Sequence, residues 1–472
     1  MTERERDNRG RATAREPDAD GVWGRSPQET LSQRALLVGF GLTNQAVADA
    51  LSRRGHDVVV TDDSPTEASR IAARRRNIEL VEMPDRITYD HLVQAATVVL
   101  PSPGVGDTHV ALELARRHGI PVRSEFDLAE EWNHRPVLAV TGTDGKTTVT
   151  TLVTDMLRAS GVHAVAAGNN ELPLVAAIDD PTTDVFVVEA SSFRLDHSEH
   201  FAPRVGTWLN FAPDHLNLHR SLAAYENAKA RLWRDQPADA VAVGSMDDPV
   251  VLKHLSQARA RHVTFGLGRP ADYHLEDGHL VGDHGVPLAD VDELWRSFPH
   301  DLSNALGAAA TALAGGATVD GVHEALVSFR GLAHRIELVA SHDDVHWFDD
   351  SKATTPNATA AAIRSFPSVV LIAGGQNKGL DLRVLAEDAP RIRAVVAIGE
   401  AAAEVEQAFA GVRPVVAARS MIDAVGQAST LARAGDAVLL SPACASFDWY
   451  KSYGERGDDF AARVRDLIGA SQ

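Results

Sequence analysis

PVLAVTGTDGKTTVTTLVTDMLRASG, residues 136–161, constrains the fold more than any other stretch. An apolar run ends in a Gly-containing turn, which opens directly into an amphipathic segment stopped by Gly161. That order predicts strand, loop and helix. The phosphate-loop pattern G-x-x-x-x-G-K-[ST], counted back from Lys146 and Thr147, asks for Gly at position 140, where Val140 stands. Even so, Gly142 and Gly145 let backbone amides converge on an anion, Lys146 adds a fixed positive charge, and the Thr147 hydroxyl can ligate Mg²⁺. The plainer alternative is a Gly turn before a helix. Gly-Lys-Thr set between a clear strand and a clear helix favours ATP.

The same rhythm recurs on both sides. ALLVGFG, TNQAVADALSRRG and HDVVVTDD, from Ala35 onward, read as strand, Gly-rich turn, helix and second strand, the opening of a doubly wound sheet. The loop Gly39-Phe40-Gly41-Leu42-Thr43-Asn44 has G-x-G without a third Gly, so nucleotide binding and a purely structural turn both remain open there. TVVLPSPGVG ends another strand in a loop containing Ser102, Pro103 and Gly104, whose amides can meet phosphate oxygens. A further Rossmann-like series begins near Gly331, with VHWFDDS, SVVLIAGG, AVVAIG and DAVLLSPA as apolar strands leading into polar or Gly-containing turns. At 472 residues the chain is too long for one core. The expectation is α/β throughout, in three domains at 31–133, 134–330 and 331–472: an N-terminal Rossmann-like domain, a central P-loop ATPase α/β domain and a C-terminal Rossmann-like domain. Residues 1–30, charged and poor in aliphatic side chains, read as a disordered tail.

With 46 basic and 65 acidic residues, the formal charge of −19 argues against nucleic acid or an anionic membrane as partner, so an anionic ligand needs a local site. The single cysteine, Cys444, cannot form an internal disulfide; it reads as a small buried residue rather than a nucleophile. No apolar run is long enough to span a bilayer, and the N-terminal stretch lacks a signal-like apolar segment, so a soluble cytoplasmic protein is expected.

Mg²⁺ takes few, hard oxygen ligands, so a carboxylate is required near the phosphates. DVFVVEASSFRL supplies Glu189 at the end of a strand that reads as buried, at the edge where α/β sheets hold ligands. LNFAPDHLNLHRSLAAYENAKARLW adds Asp214 and His215 after another apolar strand, and Lys229 within an amphipathic helix.

At this point the chain resembles the Mur ligase family, the ATP-dependent amide-forming enzymes of peptidoglycan precursor synthesis, from about residue 34 onward. The family loop T-G-T-x-G-K-[ST]-[ST] is Thr141 to Thr148 here, which accounts for the shortened pattern. FGLTNQAVA, VVEASSFRL, DDSKATTPNAT, AGGQNKG and LLSPACASFDWYKSYGERGDDF narrow the resemblance to the member that joins D-glutamate to UDP-N-acetylmuramoyl-L-alanine through an acyl phosphate. A sister ligase, another Mur step or a folylpolyglutamate-type enzyme, would share the loop, Glu189 and Lys229; DDSKATT and SPACASFD weigh against it. A non-catalytic ATP-binding switch would need none of Lys229, Lys352 or Ser446.

The resemblance implies the roles that follow. Gly142, Thr143, Asp144, Gly145, Lys146, Thr147 and Thr148 would cradle ATP, with Asn304 at the adenine, Arg335 at the γ phosphate and Asp350 as a ribose or other nucleotide contact. Thr147, Glu189, His215 and Lys229, the last as a carbamate, would hold Mg²⁺, two ions in all. Lys146, Glu189, His215 and Lys229 form the expected catalytic set. Gly41, Leu42, Thr43, Ser102 and Gly104 would cradle the UDP diphosphate, and Asn169 would meet the sugar nucleotide. Lys352, Thr354, Lys378, Ser446 and Phe447 would bind glutamate, cations and hydroxyls clamping its carboxylates. Family members usually carry Asn where this chain has Asp301; an ionised carboxylate only accepts hydrogen bonds, so an adenine contact there is not implied. No cation follows Asp62-Asp63-Ser64 to meet the uridine. A monomer is expected.

Overall fold

The computed structural model describes residues 34–169, 172–214 and 218–469. The expected tail at 1–30 and His215 lie outside the described residues.

Three parallel or mostly parallel sheets follow one another along the chain. The first has four strands in the spatial order Glu79–Glu82, Asp57–Asp62, Arg34–Val38, Val98–Pro101, all parallel. The second has six, in the order Arg261–Phe265, Val241–Ser245, Val205–Trp208, Val137–Thr141, Val185–Glu189, Ala164–Gly168, again all parallel. The third runs Glu337–His342, Val345–Asp349, Ala437–Ala443, Val369–Gly374, Ile392–Ile398, Val415–Ala417, and only its first strand is antiparallel to its neighbour.

Helices cover both faces of the central sheet, which is why its strands read as unbroken apolar runs rather than alternating ones. Every residue of Val137–Thr141 is buried. Leu138 and Val140 join one core with the helices Lys146–Ala159 and Pro299–Ala314, whereas Val137 and Ala139 point into a second core with Phe186, Trp208 and Trp233. Successive side chains therefore serve opposite faces.

In open α/β sheets a ligand crevice is expected beyond the carboxyl ends of the strands where the strand order reverses. In the first sheet the loops after Val38 and after Pro101 flank it; a Cβ on Gly41 would lie 3.4 Å from the Ser102 hydroxyl. In the second it lies beside Val137–Thr141. In the third the loops after Gly374 and Ala443 are joined by a bridge between Gln376 and Ala445.

Two features were not anticipated. A three-stranded antiparallel sheet, His274–Glu276, His279–Val281 and Pro287–Asp290, is inserted ahead of the helix Pro299–Ala314. The helix Glu125–Trp132, which closes the first stretch, packs into the second: Phe126 stacks on Phe201 at 4.6 Å, and Asp127 accepts the amides of Glu199 and His200. Among the described residues no helix is long and apolar enough to cross a membrane.

Candidate active site

The loop after Val137–Thr141 is held from below by Asn210, at the end of the next strand over. Its Oδ1 accepts the amides of Thr143 (3.0 Å) and Asp144 (2.9 Å), and its Nδ2 donates to the Asp144 carbonyl. The Thr143 hydroxyl donates to the Ala212 carbonyl and accepts the Ala212 amide. Thr143 and the Asp144 amide are thus spent on shaping the loop. Gly145 stands at φ +83°, a conformation that favours glycine, and a Cβ there would come 2.5 Å from Asn304 Oδ1. The first intrahelical bond runs from Val149 to Gly145, so the amides of Lys146, Thr147 and Thr148 have no intrahelical partner and face an anion site at a helix N-terminus.

Two lysines meet at one carbonyl of this loop. Lys146 Nζ donates to Gly142 O (2.9 Å) and Thr143 O (2.8 Å). Lys229, on the helix Leu222–Arg234 and 1% exposed, donates to the same Gly142 O at 2.6 Å and lies over the Tyr225 ring. Desolvation by burial, then the charge of Lys146, holds the Lys229 ammonium well below its usual range.

Glu189 is buried at the end of its strand, and its Oε1 accepts from Asn169 Nδ2 (3.1 Å). Asn169 Oδ1 in turn accepts from Arg194 Nη1 (3.2 Å), whose Nη2 donates to the Thr43 hydroxyl (2.8 Å) beside the first sheet. Arg194 is buried and also pairs with buried Glu125 at 3.1 Å. A continuous chain therefore links the Gly41–Thr43 loop to Glu189. Leu42, in contrast, is 60% exposed.

The third sheet contributes the far wall. Arg335, Asp350, Asn304, Asp144, Gly145 and Thr148 line one cleft of about 590 Å³, part of it open to solvent. The Arg335 Nε is buried without a hydrogen-bond partner, a donor left for an anion. Burial pushes the Asp350 carboxyl up to about 7, although the Ser441 hydroxyl donates to it at 2.7 Å. Lys352 Nζ reaches the Thr147 hydroxyl at 3.5 Å, and Asn357 Nδ2 donates to Asp144 Oδ2 at 2.7 Å. Desolvation, then the charge of Arg335, lowers the Lys352 ammonium from the usual 10.5 to about 8.

Behind Lys352, buried Arg456 donates to the Ser351 hydroxyl and to the carbonyls of Cys444 and Ala445. It ties the Lys352 loop to the loop carrying buried Ser446. The Thr354 amide bonds to the Lys352 carbonyl on the same turn. Lys378 follows the Gln376 bridge to Ala445; Phe447, next to Ser446, is 64% exposed. Among the described residues no hydrogen bond or ring contact joins Lys378 or Phe447 to the P-loop. Cys444 is buried, and burial pushes its thiol up to about 12, which removes it as a nucleophile.

Arg194, Asn210 and Arg456 were not singled out from the sequence. Nothing in the stretches SSFRL or YGERG marks an arginine as buried.

Comparison with known proteins places this arrangement. Residues 140–312 match the family model "Mur ligase middle domain", and residues 334–444 match "Mur ligase, glutamate ligase domain". A protein of Desulfosudis oleivorans named UDP-N-acetylmuramoylalanine--D-glutamate ligase is 42% identical over 455 residues, covering 93% of this chain and 98% of the relative. A protein of Frankia casuarinae with the same name is 43% identical, covering 92% and 94%. Among solved structures, a pseudomurein peptide ligase type C from Methanothermus fervidus aligns with a TM-score of 0.59 at 17% identity, covering 93% of this chain and all of that one. MurF from Acinetobacter baumannii aligns at 0.58 and 15%, covering 93% and 95%. These two likenesses bear on the fold alone. With both family domains in order along the chain and relatives above 40% identity over nearly its whole length, the chain belongs to the Mur ligase family.

Proposed function

We infer that this chain is the ATP-dependent ligase that joins D-glutamate to UDP-N-acetylmuramoyl-L-alanine in peptidoglycan precursor synthesis. The observation that carries the reading is the convergence of Lys146 and Lys229 on the Gly142 carbonyl, with Lys352 reaching the Thr147 hydroxyl of the same loop and Arg335 lining a cleft with Asp144, Gly145 and Thr148. ATP would lie on the amides of Lys146, Thr147 and Thr148, its adenine toward Asn304 and its γ phosphate toward the unpartnered Arg335 Nε. The nucleotide substrate would lie on Gly41, Thr43, Ser102 and Gly104, with Asn169 near its reacting end. Glutamate would be held by Lys352, Lys378 and Ser446.

The alanyl carboxylate attacks the γ phosphorus, the bond to the β–γ bridging oxygen breaks, and ADP departs. Lys146 and Arg335 offset the charge that builds on the phosphoryl oxygens. The glutamate amine then attacks the acyl carbon of the acyl phosphate, losing a proton as phosphate leaves. Mg²⁺, when bound, neutralises phosphate charge as a Lewis acid. The donor set suits it: the Glu189 carboxylate and the Thr147 hydroxyl are hard oxygens, and the depressed Lys229 amine is the form that adds CO₂ to become an oxygen ligand.

The Lys352–Thr147 and Asn357–Asp144 contacts support a closed arrangement that shields the acyl phosphate from water. Division of the chain at 133/134 and 330/331 is supported by the succession of the three sheets, with the helix Glu125–Trp132 as the joint between the first two. Since all three sheets supply the site within one copy, we take the enzyme as a monomer, acting in the cytoplasm where ATP and the nucleotide substrate are found.

The test incubates purified protein with ATP, Mg²⁺ and UDP-N-acetylmuramoyl-L-alanine, with D- or L-glutamate in parallel, and follows phosphate release and product mass. A product heavier by one glutamyl unit with D-glutamate alone supports the reading. Product with L-glutamate alone overturns the stereochemistry, and phosphate without product overturns the substrate assignment.

A further inference from the structure

The Asp301 carboxylate, in the helix next to Asn304, has a close partner in the structure. Arg296, five residues earlier, meets it in a two-pronged pair: Nε to Oδ2 at 2.6 Å and Nη2 to Oδ1 at 2.8 Å. Both groups are largely buried, the side chains 19% and 16% exposed. Both carboxylate oxygens are therefore engaged by a planar fork, the geometry in which arginine holds a carboxylate most firmly. Asp301 also sits in the first turn of the helix Pro299–Ala314, where negative charge is favoured.

The remaining arm of Arg296 reaches the third domain. Its Nη1 donates to the carbonyls of Arg335 (2.9 Å) and Ile336 (2.8 Å). That short segment is strained: His334 has φ +60° and Ile336 φ +46°. A β-branched residue in the left-handed region persists only where its surroundings fix it. The fixing contacts include the two Arg296 Nη1 bonds, the bond from the Ile336 amide to Asp350 Oδ1 (3.3 Å), the bond from the Lys352 amide to the His334 carbonyl (3.1 Å), and the contact of the His334 ring with Asp349 Oδ2 (2.7 Å). Arg335 lies between these pinned carbonyls, its Nε facing the nucleotide cleft without a partner.

We propose that Asp301 and Arg296 form a latch that fixes the strained 334–336 segment and so positions Arg335 on the γ phosphate. Asp301 and Arg296 are positioning residues in this scheme, which rests on the proposed role of Arg335 in ATP use.

The test compares ADP and ATP affinity by calorimetry, and kcat and KM for ATP and GTP, in the 472-residue chain and its Asp301→Asn, Arg296→Gln and double variants. Because ADP lacks the phosphate that Arg335 would meet, the latch predicts unchanged ADP affinity, ATP affinity lowered, and kcat/KM for ATP down about tenfold in each single variant, the size of a positioning error. The double variant should be no worse than either single one, since both break the same contact. Arg296→Lys, which keeps the charge but loses the fork, should move in the same direction and serves if Arg296→Gln does not fold. ADP and ATP affinity falling together, a changed ATP-to-GTP preference, or additive losses would overturn the latch. The ADP and ATP binding split is read without the amide product. A wild-type protein that makes no product therefore sinks the substrate assignment, while the latch still stands or falls on the binding split.

Discussion

Lys229 and Lys146 donate to the same oxygen, the Gly142 carbonyl, at 2.6 and 2.9 Å. Desolvation by burial, and after it the charge of Lys146, holds the Lys229 ammonium well below its usual range. Lys229→Ala should lower kcat on the order of 10²–10³-fold, the scale of a lost electrostatic group in a dry site. ATP binding should be far less affected. Supplying ¹³CO₂ to the wild-type protein should give a carbamate carbonyl resonance that the variant lacks; a wild-type spectrum without it would remove the carbamate from the scheme.

Lys352 titrates within the working range. Its ammonium is lowered to about 8, so the cation that would clamp a glutamate carboxylate is present below that pH and lost above it. KM for glutamate should rise as pH passes about 8, with little change in KM for the nucleotide substrate. The sign for stability is opposite: the fold disfavours this charge, so the penalty stands below about 8 and is relieved as pH rises toward 10.5. Lys352→Arg, which stays charged, should flatten the rise in KM; a rise that persists in the variant would assign the titration to another group.

The buried Arg194–Glu125 pair should be costly to break from one side. Arg194→Ala leaves Glu125 buried and unpaired, for a loss of about 3–5 kcal/mol read as a lowered denaturation midpoint. Pairing it with Glu125→Gln should recover part of that stability. The recovered protein should still show a raised KM for the nucleotide substrate, because Thr43 and Asn169 have lost their common donor.

Gly145→Ala meets two obstacles at once: a left-handed backbone and the Asn304 side chain 2.5 Å from the new Cβ. Strain of about 1–3 kcal/mol at this one loop position leaves the fold standing. Nucleotide affinity measured by calorimetry should nonetheless fall by tenfold or more, and near-wild-type affinity would show that the loop can shift without consequence.

Much of the scaffold was legible because its sheets are covered on both faces. Runs such as VLAVT and VFVVE have no solvent side, so apolar continuity marks them, and the Gly-containing turns that follow mark the carboxyl ends where the site forms. The strands of the small inserted sheet are three or four residues long, too short to carry a pattern. Side-chain pairing was the hidden part. Nothing in SSFRL marks Arg194 until the fold brings Thr43, 151 residues away, to its guanidinium. Asp301 reads as a lost adenine contact, and only the geometry of the turn before its helix reveals that Arg296 already occupies it.

The bridge from Thr43 through Arg194 and Asn169 to Glu189 has a thermodynamic corollary. Hydrogen bonding at one end is shared, through two side chains, with the carboxylate at the other. By linkage, whatever factor a ligand on the Thr43 loop imposes on affinity at Glu189 must be returned undiminished in the opposite direction.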